Sequence, residues 1–70
     1  MSDQHIERMR KERAELCDRL SKLNAFITTD TFGTLAIDEQ NRMRRQLVAM
    51  REYADMLAAR LAAVEEFRAA

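Results

Sequence analysis

Thr28-Thr29-Asp30-Thr31-Phe32-Gly33-Thr34 is the stretch that decides how this chain folds. Five of its seven residues are Thr or Gly and a sixth is Asp, types that are poor in helix interiors and good in turns. Proline is absent, and Gly33 is the one glycine in 70 residues. The only strong breaker therefore sits near the middle and divides the chain in two. The reading is a single all-α domain over residues 1–70, an antiparallel helix–loop–helix hairpin with helices at about 3–27 and 37–68 and a loop at about 28–36.

Outward from the break, both flanks carry one periodic signal. Positions 6, 9, 13, 16, 20, 23 and 27 hold Ile, Met, Arg, Leu, Leu, Leu and Ile. Positions 43, 47, 50, 54, 57, 61 and 64 hold Met, Leu, Met, Ala, Leu, Leu and Val. Alternating steps of three and four keep a stripe facing a partner helix, as in coiled coils and antiparallel bundles. Phe26, Ala49, Tyr53, Ala58 and Ala62 widen the apolar face, which suits a bundle. Arg13 is the exception on the first stripe and is read as a side chain whose head reaches solvent or an acid such as Glu12 or Asp55.

Local chemistry agrees with helix. Glu7–Lys11, Glu15–Arg19, Asp18–Lys22 and Asp38–Arg42 are acid-before-base pairs four apart, each adding about 0.2–0.5 kcal/mol to an exposed helix. Ser2 or Asp3 is placed to cap the first helix, and Asp38 and Glu39 bring negative charge to the first turn of the second.

Size makes self-association the expectation. Chains below roughly 70–80 residues usually need disulfides, metal, oligomerisation or unusually good helix packing, and a lone Cys17 makes no internal disulfide. At 1.5 Å per residue the second helix outreaches the first by about 10 Å. Leu61, Val64 and Phe67 are then short of cover, and a homodimeric four-helix bundle is the economical answer, with Leu47, Met50, Leu57, Leu61, Val64 and Phe67 as its interface.

Composition narrows the function. The chain is 47% apolar and 34% charged, that of a folded helix-rich protein. Twelve basic side chains balance twelve acidic ones, which removes the bulk electrostatic attraction to nucleic acid or an anionic membrane. No uninterrupted apolar run is longer than Leu47 to Met50, far short of the roughly 20 residues of a membrane span. The polar start Met-Ser-Asp-Gln-His is unlike a secretory signal, so the expected location is the cytoplasm.

Catalysis finds no foothold. His5 and Cys17 are the only members of their types, and twelve residues of helix separate them by about 18 Å. One Cys and one His leave a zinc site without ligands, and one glycine cannot build a phosphate-cradling loop. No cofactor is expected, and the chain reads as a non-enzyme. The remaining candidates are contact residues: Arg42 and Arg45 on one face of the second helix and Tyr53, types that carry interface energy, with the loop's Phe32; the alternatives are a Phe32 that caps its own bundle and a Tyr53 that packs along the seam with its hydroxyl at the rim.

Several segments add a resemblance. Glu7-Arg8-Met9 to Leu23-Asn24-Ala25-Phe26-Ile27, then Leu35-Ala36-Ile37-Asp38-Glu39-Gln40, then Arg45-Gln46-Leu47-Val48-Ala49-Met50-Arg51-Glu52-Tyr53 and Leu57-Ala58-Ala59-Arg60-Leu61 resemble small helical-hairpin phage proteins, among them a family named for a crAss-like phage member. The similarity covers roughly residues 7–64. Its most individual part is the Leu-x-x-x-x-Gln entry to the second helix followed by Gln-Leu-x-x-Met-x-x-Tyr. Where that pattern expects a capping Ser this chain has Ala36, which leaves Asp38 or Thr34 to cap. Size and hairpin form are also similar to those of phage-encoded quorum-sensing anti-activators of Pseudomonas phages. That resemblance implies a host-directed protein that binds a LuxR-type transcriptional regulator and stops it acting, with the type IV pilus assembly ATPase as a second target. The competing readings are a structural coiled-coil adaptor and a small nucleic-acid-binding regulator using the arginines of the second helix.

Overall fold

The computed structural model describes residues 3–69 and is all helix and turn across them. Helix α1 spans Asp3–Phe26, a short α2 spans Asp30–Gly33, and α3 spans Ile37–Ala69. The two long helices pack antiparallel as a hairpin. The rod measures 52 × 15 × 14 Å, and its long axis is the length of α3 alone, about 50 Å for 33 residues.

The seam is the one the 3–4 spacing predicts. Ile6, Met9 and Leu16 of α1 meet Ala54, Leu57 and Leu61 of α3 in one buried cluster, with Cys17, Met50 and Val64 packed against it. Leu57 is wholly buried at 0% exposure. Arg13 is exposed, in agreement with a head that reaches solvent.

The turn is more ordered than a loop. Thr29 is the N-cap of α2, where its hydroxyl accepts from the Phe32 amide at 3.3 Å and donates back to the Phe26 carbonyl at 2.6 Å. Thr28 donates to the Ala25 carbonyl at 2.7 Å, and Thr34 donates to the Thr31 carbonyl at 2.6 Å. The threonines thus close the carbonyls that the helix ends leave open. Gly33 is the last residue of α2 and has no positive φ, so the chain does not turn on its glycine.

The start of α3 departs from expectation as well. Neither Thr34 nor Asp38 caps it: Thr34 is used by α2, and Asp38 already lies in the first turn. Gln40 bonds backwards instead, its side-chain amide donating to the Leu35 carbonyl at 2.9 Å and to the Gly33 carbonyl at 3.3 Å. Ser2, the other capping candidate, lies outside the described residues.

The register corrects the expected overhang. Arg10 of α1 pairs with Glu65 of α3 at 3.3 Å, and Ile6 and Met9 share a cluster with Leu61. The start of α1 therefore covers the end of α3. The surplus length lies at the turn, where α2 folds over the first turns of α3 and buries Phe32. Length arithmetic alone misses this because it treats the turn as lying beyond the helix ends.

Of the four helix ion pairs expected, Asp18–Lys22 forms at 3.1 Å. Glu7 pairs with Arg10 and Arg42 with Glu39, each three residues apart. Arg19 donates to the Glu15 carbonyl while the Glu15 carboxylate lies 4.0 Å from Lys11. All are exposed, where one-turn alternatives differ by tenths of a kcal/mol, about the size of the pairs themselves.

Candidate interaction surface

The residues that sequence periodicity assigns to a second copy are largely occupied within one chain. Leu47, Leu57 and Leu61 are buried, and Met50 and Val64 are half-buried against the hairpin core. Two helices close this seam because α1 supplies Ile6, Met9 and Leu16 opposite it. Phe67 differs, at 84% exposure. Any surface offered to another molecule therefore lies off the seam.

Phe32 is also withdrawn from solvent. It is 3% exposed, its ring meets Phe26 edge-on with centroids 6.1 Å apart, and the Arg44 guanidinium lies 5.2 Å from its centroid. An edge-on ring pair adds about 0.5–1.5 kcal/mol beyond burial, and an exposed cation over a ring about 0.5–1. The ring closes the turn end of its own hairpin. Arg44 is the residue that sequence reading passed over here; its distance of twelve residues from Phe32 carries no periodic signal.

Three sequence candidates remain on the surface. Arg42 is held by Glu39, with its Nε and Nη2 donating to one carboxylate oxygen at 3.0 and 2.9 Å. Arg45 is exposed and carries no ion pair among the described residues. Tyr53 is partly exposed, and its hydroxyl donates to the Glu12 carboxylate of α1. That carboxylate favours the protonated phenol, so Tyr53 sits above its ordinary pKa of 10.0; burial and the Glu12 charge push the same way, and Arg60 opposes them. Tyr53 thus straps the two long helices together while staying partly exposed.

The outer side of α3 adds apolar area away from the seam. Val48 and Met56 are exposed large side chains, beside Ile37 and Phe67 at the ends of the helix. Exposed alanines at 49, 59 and 63 lie among them. The signal was present as a second ladder of small and apolar residues through α3, masked by the stronger one. Arg44, Arg45 and Arg51 have no carboxylate partner among the described residues; Arg51 donates to Asn24 at 3.3 Å. Among the same residues there is no group of three His, Cys, Asp or Glu side chains placed to hold a metal ion, and no helix is long and apolar enough to cross a membrane.

A two-helix rod closed on its own apolar seam defines a helical-hairpin protein. The family model that matches it is Sequestin, over residues 3–63, which takes in α1, α2 and most of α3. The chain belongs to the Sequestin family. No curated protein and no solved structure matches it.

Proposed function

We propose that this chain is a phage-encoded, non-catalytic capture protein that binds a bacterial host protein in the cytoplasm and keeps it from its target. The observation that carries the reading is the Sequestin match across nearly the whole hairpin, a family whose name denotes withholding. The finer reading, supported by the resemblance to quorum-sensing anti-activators, is an inhibitor of a LuxR-type transcriptional regulator that also engages the type IV pilus assembly ATPase. Arg42, Arg45 and Tyr53 are the side chains proposed to make contact, because they remain at the surface of a rigid helix. Mixing the purified chain with a LuxR-type regulator tests this. The expected result is a stoichiometric complex and release of the regulator from operator DNA, weakened by Arg45→Glu. A regulator that keeps its operator at excess hairpin overturns the assignment.

One observation favours a second reading. The guanidiniums of Arg44, Arg45 and Arg51, which lack carboxylate partners among the described residues, suit an anionic ligand. On this reading the captured molecule is a small phosphate-bearing compound rather than a protein. Heat-denaturing the protein recovered from bacterial cells and analysing the released small molecules separates the two.

A further inference from the structure

The outward face of α3 has a symmetry that neither the seam nor the capture reading uses. Ala49, Met56 and Ala63 stand seven residues apart, with Glu52 and Arg60 each four residues from Met56. At 100° per residue this line lies about 130° around α3 from the Ala54–Leu61 seam. Every one of these side chains is exposed, Met56 at 58%. Glu52 and Arg60 form no ion pair among the described residues.

We propose that this face is an isologous interface with a second copy of the chain, in which two α3 helices cross antiparallel about a two-fold axis at Met56. In that arrangement Met56 meets itself. Ala49 faces the second copy's Ala63, and Glu52 faces its Arg60. A two-fold contact must be self-complementary, each residue finding its opposite on an identical surface. Here both unpaired charges of the stripe are satisfied twice, and small residues face small ones. The alanines permit helix axes to approach to about 8 Å, the close end of helix packing.

The area of the rod argues for the same occupant. The single chain exposes 5363 Å², whereas a compact monomer of 8.2 kDa exposes about 4,500 Å². The excess, about 800 Å², is what each partner contributes to a standard stable interface. A second copy on α3 covers that excess and leaves the hairpin core unchanged. This inference holds whichever molecule the protein captures.

Charge reversal tests it. Sedimentation of the wild-type protein is expected to give twice the chain mass of 8.2 kDa. Glu52→Arg and Arg60→Glu each place like charges across the axis and should weaken association at least about tenfold; the double variant exchanges the two signs and should restore it. Helicity by circular dichroism identifies any variant that fails to fold. Independently, in a Cys17→Ala background, Met56→Cys should oxidise to a disulfide-linked pair because the axis brings the residue to its own copy, while Val48→Cys should not. A wild-type chain that sediments as a monomer overturns the proposal. So does an oligomer that tolerates both single reversals, or one in which Met56→Cys fails to cross-link.

Discussion

Arg10 and Glu65, 55 residues apart in sequence, meet at 3.3 Å across the open end of the hairpin. Their contact reports the register: α1 begins opposite the end of α3, and the length difference of the long helices is taken up at the turn. Both side chains are about half exposed or more, so the pair marks the register without enforcing it. Arg10→Ala should cost under about 1 kcal/mol, since exposed pairs contribute little. Ile6→Ala, which opens the buried cluster at the same end, should cost about 2–5. Thermal melts of the two variants, followed by circular dichroism, compare them directly.

Leu57 is the centre of the seam and, among the described residues, the one fully buried large side chain. Leu57→Ala should destabilise by about 2–5 kcal/mol through lost transfer energy and the cavity left behind. For a hairpin of this size that is a large share of the total stability, of order 5 kcal/mol. Urea titration should show a chain largely unfolded at moderate temperature.

Gly33 offers the opposite sign. Its φ is not positive, and a Cβ added there meets nothing within 4 Å. Gly33→Ala should therefore stabilise by about 0.4–1 kcal/mol, chiefly by restricting the unfolded chain. A loss of stability in the melt would show that the turn needs its glycine.

Tyr53 provides a pH signature. Glu12 holds the phenol protonated, so the folded pKa lies above the ordinary 10.0. The stabilisation is fully present below that ordinary value and is lost as pH rises through the raised one. Tyr53 is the only tyrosine, so tyrosinate absorbance reports it alone. The midpoint should exceed 10.0 and fall back in Glu12→Gln.

Much of this fold was legible in the residues, and the limits have physical causes. The seam was readable because burial repeats every 3.5 residues, and Leu47, Ala54, Leu57 and Leu61 fall on that period and are buried. The turn was readable as a break from its threonines, but not as a helix, because a single turn such as Asp30–Gly33 leaves no period to detect. The register was not readable. It depends on Phe32 folding back under Arg44 and against Phe26, contacts set by packing rather than spacing. For the same reason Leu47, Met50, Leu57, Leu61 and Val64, expected between copies, pack within the hairpin while Phe67 stays exposed: a stripe that faces a helix carries no mark of whether that helix belongs to the same chain. Arg45 and Tyr53 lie at the surface, whereas Phe32 is buried.

The central claim is that the protein holds a partner stoichiometrically and leaves it unchanged. Native mass spectrometry of the tagged chain recovered from bacterial lysate measures this most directly. The account predicts a fixed number of intact partner molecules per hairpin, released unmodified on denaturation. Recovery of the bare chain at multiples of 8.2 kDa, or of a chemically altered partner, would contradict it.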